Sequence, residues 1–277
     1  MSTVPSLVMN NGLQIPQIGF GVFLVPPEET QEAVTEALKT GYRLIDTAQG
    51  YRNEEGVGAA IAQSDVPLDE LFITTKLTNS EQGYDNALTA FDGSMKKLGI
   101  EVLDLFLIHW PLPMFDQYVE TWRALEKLLS EGRVRSIGVS NFEIPHLQRL
   151  MAETDVTPAI NQVELHPQFP QEELREFHAE HGILTESWGP LGQGKGLLED
   201  PSIVEVARRK DRTPAQVVLR WHIQVGCVVI PKSVRPERMR ENFDIFDFEL
   251  DDADMAEISK VRTGQRLGAD PNVFAMR

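Results

Sequence analysis

Four residues in the first half of the chain carry side chains that would work together on a carbonyl group: Asp46, Tyr51, Lys76 and His109. A tyrosine hydroxyl has a reference pKa of about 10 and donates its proton poorly at neutral pH unless its anion is stabilised. A lysine ammonium about 4 Å away contributes roughly 4 kcal/mol at an effective dielectric of about 20, enough at most to bring the phenol towards neutrality, with burial acting against it. Lys76 would in turn need a carboxylate to stay charged in an apolar surrounding, and Asp46 is the candidate. His109 would hydrogen-bond a substrate oxygen or share the proton relay. The set suits protonation of a carbonyl oxygen while hydride reaches its carbon. Taken singly, an Asp or Lys at a strand end is more often a structural ion pair, and a loop tyrosine is usually packing. Taken together they are hard to attribute to packing.

The elements that must position them follow from the local pattern. Asp46 closes a short apolar run, Lys76 closes Leu71-Phe72-Ile73-Thr74-Thr75, and His109 closes Leu103-Asp104-Leu105-Phe106-Leu107-Ile108. In a parallel barrel such strand ends converge on one face, where catalytic groups are found. Asp46, Lys76, His109 and Ser140 are separated by 30, 33 and 31 residues, about one βα repeat. Apolar runs alternate with helical spacing along the rest of the chain: strands are predicted at Gln17 to Phe20, Val134 to Val139, Ala159 to Glu164, Ile183 to Ser187 and Val228 to Ile230. Thr213-Pro214-Ala215-Gln216 is a capping box opening a helix, and Pro236-Glu237-Arg238-Met239 starts the last regular helix. Asn10-Asn11-Gly12 between two apolar triplets signals an N-terminal hairpin, placed to plug one end of a barrel. The reading is one α/β domain over residues 1–277, a (β/α)8 TIM barrel with an N-terminal β-hairpin and extra helices near the C-terminus. A doubly wound sheet would carry a Gly-x-Gly-x-x-Gly turn after its first strand; the glycine-rich stretch Gly189 to Gly196 comes late with other spacing.

Composition narrows the function classes. With 277 residues, 42% hydrophobic and 25% charged, the chain reads as a soluble globular protein. No basic segment followed by an apolar one opens it, and no apolar run approaches the roughly 20 residues of a membrane helix, so a cytoplasmic location is expected. A net charge of −16 argues against nucleic acid or anionic membranes as partners. The single Cys227 excludes an internal disulfide and reads as a buried small apolar residue. His178 and His181 lack a third ligand, so no metal is expected. Glu54 and Glu164 read as structural pairing partners, Trp122 and Trp221 as core, and His166 as a hydrogen-bonded loop histidine. One cluster opposes the acidic trend: Lys232, Ser233, Val234, Arg235, Arg238 and Arg240 fall between a strand end and a helix opening at Pro236. A helix N-terminus flanked by cations suits phosphate, and here the 2'-phosphate that distinguishes NADPH from NADH.

The segment Asp46-Thr47-Ala48-Gln49-Gly50-Tyr51-Arg52-Asn53-Glu54 resembles the Asp-Thr-Ala-x-x-Tyr-x-Asn-Glu pattern of the aldo-keto reductases. Thr75-Lys76-Leu77, Ile108-His109-Trp110-Pro111, Ile137-Gly138-Val139-Ser140-Asn141-Phe142 and Asn161-Gln162-Val163-Glu164 match as well, so the resemblance covers almost the whole chain. It implies the same barrel, Tyr51 as general acid tuned by Asp46 and Lys76, and His109 orienting the carbonyl. It further implies Ser140, Asn141 and Gln162 on the nicotinamide carboxamide and Trp188 stacked on the ring. Gly189, Leu191, Gln193 and Gly194 would lie along the pyrophosphate, Lys232, Ser233 and Arg238 on the 2'-phosphate, and Glu241 and Asn242 at the adenine. A monomer is expected from the same likeness.

Within the family the chain is similar to prokaryotic reductases acting on 2,5-diketo-D-gluconate, through Ser187-Trp188-Gly189-Pro190-Leu191-Gly192-Gln193-Gly194-Lys195 and Phe246-Asp247-Phe248. By analogy the substrate pocket draws on Phe23, Tyr51, Thr78, His109, Trp110 and the tail near Asn272 to Phe274. Two departures bear on it: Thr78 stands where those relatives carry tryptophan, and Gln49-Gly50 replaces a more apolar pair. Losing an indole widens the pocket, which leaves small dicarbonyls such as methylglyoxal open, and the short tail suggests a fairly open site. A non-catalytic NADPH-binding barrel is the alternative from another class, opposed by the intact Tyr51, Lys76 and His109. A barrel lyase or hydrolase would need metal ligands or a carboxylate pair that the sequence does not display.

Overall fold

The computed structural model describes residues 4–276. Strands β1 (Ser6–Val8) and β2 (Gln14–Pro16) pair antiparallel as the hairpin, with Gly12 at φ +85 in the turn. Asn11 fixes that turn: its Oδ1 accepts from the Leu13 N–H at 3.1 Å and its Nδ2 donates to the Ser136 hydroxyl at 2.7 Å. Among the described residues eight parallel strands follow: β3 (Gly19–Gly21), β4 (Leu44–Asp46), β5 (Phe72–Leu77), β6 (Leu103–Ile108), β7 (Val134–Ser140), β8 (Ile160–Glu164), β9 (Leu184–Trp188) and β10 (Val228–Val229). Each pairs with the next in the chain. A parallel bridge between Ile18 and Val229 brings the last strand back to the first and closes the barrel.

The helices of the repeat are α1 (Pro27–Thr40), α2 (Glu54–Ala62), α3 (Tyr84–Leu98), α4 (Tyr118–Ser130), α5 (Ile144–Glu153) and α6 (Glu172–Glu180), followed by α7 (Pro201–Lys210), α8 (Pro214–Gln224), α9 (Pro236–Phe243) and α10 (Asp252–Ser259). Their apolar faces and the outward faces of the strands form one buried layer, in which Trp122 and Phe91 are fully enclosed. Helix α1 shows the local logic. Proline opens it, Ala33, Val34, Ala37 and Leu38 face the barrel, and Gly41 stops it at φ +120, where a Cβ would meet the Phe243 ring at 3.0 Å. The capping box predicted at Thr213 and Gln216 forms, with both reciprocal hydrogen bonds present. Its worth is about 1 kcal/mol.

The extra helices expected near the C-terminus are present, at positions the sequence reading did not assign. Helix α7 has no counterpart in it, and α10 follows α9, so Pro236 does not start the last helix. The two pack together through Arg209 and Lys210 on Asp254, at 2.5 and 2.6 Å. Helix α10 has its own signal, an Asp251–Asp254 capping box.

Strand register and the alternation of side chains sort the barrel interior into layers of four, drawn from alternate strands. Leu44, Leu105, Ile160 and Val228 form an apolar layer, sealed from the N-terminal end by Met9 and Ile15 of the hairpin region. Above it come Gly19, Thr74, Gly138 and Glu186, then Asp46, Leu107, Gln162 and Ile230, then Gly21, Lys76, Ser140 and Trp188. The glycines are required by close approach: a Cβ on Gly19 would sit 2.5 Å from Leu44, and one on Gly138 would sit 2.7 Å from Leu107. The interior thus turns from aliphatic to ionisable along the barrel axis, towards the C-terminal ends of the strands.

Candidate active site

Lys76 is fully buried, and its ammonium donates to three oxygens: Asp46 Oδ1 at 2.6 Å, the Thr47 carbonyl at 2.9 Å and the Tyr51 hydroxyl at 3.3 Å. The side chain lies over the Tyr51 ring, 5.0 Å from its centroid. His109 meets the same ring edge-on at 5.6 Å. The four residues singled out in sequence are therefore assembled in one place. Tyr51 ends a short 3-10 turn, and Asn53 fixes the chain beyond it. The Asn53 amide oxygen accepts from Thr47 at 2.9 Å, and its nitrogen donates to the carbonyls of Val22 and Val25, so the loops after β3 and β4 are tied together beneath the tyrosine.

The electrostatics correct one expectation. Burial raises the Tyr51 hydroxyl above its ordinary value, and Lys76, although it pulls the other way, does not overcome it. The phenol of the free protein is a neutral hydroxyl with a stabilising cation beside it, rather than a group poised near neutrality. Burial works against the Lys76 ammonium as well, but the opposing pull, led by the charge of Asp46, more than offsets that and holds the pKa above the usual lysine range. Burial and then Lys76 push His109 down to about 3, so its imidazole is neutral and can donate only one N–H.

Asp46 is shared. Its Oδ2 accepts from the Gln162 side-chain nitrogen at 2.8 Å. The same nitrogen reaches Glu186 Oε2 at 2.9 Å. Glu186 is missing from the sequence reading, although its place two residues before Trp188 puts it on the same inward face of β9. Burial, and secondarily Asp46, pushes its carboxyl up to about 8.

The residues expected at the nicotinamide lie side by side at the mouth. Ser140 donates to the Gln162 carbonyl at 2.8 Å, Asn141 Nδ2 reaches the Ser140 hydroxyl at 3.1 Å and the His109 carbonyl at 2.9 Å, and the Trp188 indole N–H donates to Asn141 Oδ1 at 2.8 Å. Asn141 holds φ +63, in the left-handed region that asparagine enters more readily than most residues. Gly189, Leu191, Gln193 and Gly194 form the turn after β9, with φ positive at Gly189, Gln193 and Gly194. Lys232, Ser233, Val234 and Arg235 follow β10 and lead into α9, where Ser233 accepts from the Arg235 N–H at 3.0 Å. Among the described residues none of Lys232, Arg235, Arg238 and Arg240 has an ion-pair partner, whereas α7, another of the C-terminal helices, pairs Arg208, Arg209 and Lys210. In a protein with 42 acidic residues, unpaired Lys232, Arg235 and Arg238 gathered where α9 opens fit an external anion, while Arg240 lies in its last turn. Glu241 and Asn242 lie on α9, Asn242 buried.

At the rim Phe23 packs on Tyr51 at 5.0 Å, and Trp110 meets Phe274 in a tilted contact at 4.3 Å. Thr78 is held by Gln49, whose Oε1 accepts from the Thr78 N–H at 2.9 Å while its nitrogen donates to Ala90 and Ser94. The tail is anchored beside the mouth. Glu164 accepts from the N–H groups of Leu267 and Gly268, and Gly268 lies so close to Trp188 that a Cβ would be 2.6 Å from the indole. His166 pairs with Glu164 at 3.1 Å, as a structural role predicts, and His178 bonds Asn161 and Thr185 in the core. Among the described residues no group of three or more His, Cys, Asp or Glu is placed to hold a metal ion, and no helix is long and apolar enough to cross a membrane.

Comparison with known proteins accords with this geometry. The aldo/keto reductase family model matches residues 17–263. An aldo-keto reductase of Mycolicibacterium smegmatis is 55% identical over 270 residues, covering 98% of both chains. Methylglyoxal reductase DkgA of Escherichia coli is 49% identical over 275 residues, covering 99% of each. The crystal structure of a Gox0644 mutant in complex with NADPH superposes with a TM-score of 0.95 at 53% identity, covering 99% of both chains. The chain belongs to the aldo/keto reductase family.

Proposed function

We propose that this NADPH-dependent reductase converts small polar dicarbonyls to hydroxycarbonyls, with Tyr51 as the proton donor. The observation that carries the reading is the buried Lys76 ammonium between Asp46 at 2.6 Å and the Tyr51 hydroxyl at 3.3 Å. Bound NADPH supplies the hydride that reaches the carbonyl carbon. Tyr51 gives its proton to the oxygen, and Lys76 stabilises the phenolate left behind. A raised tyrosine is no obstacle, because the alkoxide forming on the substrate is far more basic than a phenolate. The neutral His109 donates one hydrogen bond to the carbonyl oxygen and orients it without competing to protonate it. Ser140, Asn141 and Gln162 hold the nicotinamide amide and Trp188 covers the ring. Arg238, Lys232 and Ser233 receive the 2'-phosphate, and the lack of acidic partners on the two cations supports that role.

For the substrate, the pocket wall of Phe23, Trp110 and Phe274 with the hydroxyl of Thr78 suits a short, polar carbonyl compound. Methylglyoxal fits that description and is what the DkgA relatives are named for. Sugar-derived ketones such as 2,5-diketo-D-gluconate share the chemistry and are the second substrate to test. Loss of NADPH absorbance, followed with methylglyoxal, 2,5-diketo-D-gluconate, aldoses and keto acids, tests the reading. Turnover highest on the dicarbonyls supports it; turnover on none of the panel refutes it.

A further inference from the structure

Glu186 has no place in the reaction just described, yet it is fully buried in the layer directly beneath Asp46 and Gln162. Its contacts are few. Oε2 accepts from the Gln162 nitrogen at 2.9 Å, and Oε1 has no hydrogen-bond partner among the described residues. An ionised carboxylate has room for several donors, and one left with a single donor in an apolar layer would be costly. The ammonium facing it, Lys76, is already matched by Asp46. A second anion there would stand uncompensated, so the carboxyl keeps its proton at neutral pH, consistent with its rise to about 8 through burial and then Asp46.

The consequence lies in Gln162. Both hydrogens of its amide nitrogen are claimed, one by Asp46 Oδ2 and one by Glu186 Oε2. A side-chain amide can turn over, exchanging its oxygen and nitrogen at little cost, unless both ends are specified. In the turned-over state an amide oxygen would face the Asp46 carboxylate and repel it from its place beside Lys76. The Asp46 carboxylate therefore sets which way the amide faces, and Glu186 gives its nitrogen a second acceptor from below at 2.9 Å.

We propose that Glu186 is a positioning residue of the reduction: through Gln162 it holds Asp46 against Lys76, and so governs the proton-donating tyrosine from a layer that neither substrate nor cofactor reaches. This rests on Tyr51 being the donor. Leu107 and Ile230 complete the Asp46–Gln162 layer without polar side-chain atoms, so neither can substitute for Glu186 as the second acceptor.

The test compares the wild type with Glu186→Gln, Glu186→Leu, Gln162→Leu and the double variant Glu186→Leu/Gln162→Leu. Each is measured for kcat with saturating NADPH and methylglyoxal, for NADPH binding by fluorescence quenching, and for melting temperature. Glu186→Leu should lower kcat by about tenfold or more, the scale of a small displacement among reacting groups. Glu186→Gln keeps an acceptor for Gln162 and should stay within about threefold of the wild type. The double variant should lose no more than Gln162→Leu alone, because residues acting through one another are not additive. The wild-type kcat should also fall above a pH of about 8 as Glu186 ionises beside Asp46, Lys76 and Tyr51, a limb that Glu186→Gln should lack. Wild-type kcat in Glu186→Leu, or a double-variant loss equal to the product of the single losses, overturns the proposal. If Glu186→Leu does not fold, Glu186→Ala decides: a loss of kcat of about tenfold with NADPH binding kept upholds the proposal, and wild-type kcat overturns it. A wild type that turns over the dicarbonyl while ignoring Glu186 overturns this inference alone; a wild type with no turnover overturns the reduction and this with it.

Discussion

The two ends of the barrel interior are built from the same strands and the same register but from opposite chemistry. The lower layer, Leu44, Leu105, Ile160 and Val228, is aliphatic and closed by the hairpin through Met9 and Ile15. The upper layers hold Asp46, Lys76, Gln162, Glu186 and Ser140, all almost completely buried. Burying Leu105 and its neighbours stabilises by roughly 1.5–3 kcal/mol per side chain, whereas burying ions contributes little net stability even when they are paired. The lower end holds the barrel shut, and the upper end spends that stability on keeping charges where water would otherwise take them. A barrel is suited to this division because its strands deliver side chains to both ends from one rigid frame.

Substitutions at the two ends should therefore fail differently. Lys76→Met leaves the Asp46 carboxylate buried without its cation and should cost about 3–5 kcal/mol of stability, read from urea unfolding, together with turnover. Adding Asp46→Asn should restore most of the stability and none of the turnover; recovery of activity in that double variant would erase the distinction between the ends. Leu105→Ala should cost about 2–5 kcal/mol, with the kcat of the folded fraction changed less than about twofold, since the cavity lies below the reacting groups. A large loss of kcat there would mean that the layers are not independent. Arg238→Ala should weaken NADPH by about 1.5–3 kcal/mol in titrations and NADH by much less, because only the former brings a 2'-phosphate.

A further contrast is in the pH dependence of stability. Burial holds His109, His178 and His222 down to about 3, so the unfolded chain binds protons at the ordinary histidine value that the folded chain refuses. The stability these histidines contribute is complete above pH 6.5 and is lost as pH drops from there towards about 3, while Glu186, raised to about 8, acts in the opposite sense as pH rises. Denaturation midpoints across that window should decline, and His178→Asn should make the decline shallower.

The same contrast accounts for what the sequence conveys. Asp46, Lys76 and His109 are legible because each ends an apolar run, and the hairpin because Asn11-Gly12 demands its turn. Two helices, α7 and α8, stand between β9 and β10 where the βα rhythm has room for one, so that rhythm gives no place for α7. Glu186 sits among Thr185 and Ser187, a polar run whose inward face becomes evident only once Trp188 is set in the barrel. The direction of the Tyr51 shift depends on how much water the fold removes, which residue types alone do not state. The anchor of the tail is not legible either, because it is Glu164, a distant carboxylate on β8.

The most direct test of proton donation by a phenol beside a buried ammonium is the kcat of Tyr51→Phe with NADPH and methylglyoxal, alongside its NADPH affinity. Turnover should fall by about 10²–10⁴-fold while NADPH binds as before. Turnover near the wild-type rate with the cofactor bound would show that the proton comes from elsewhere.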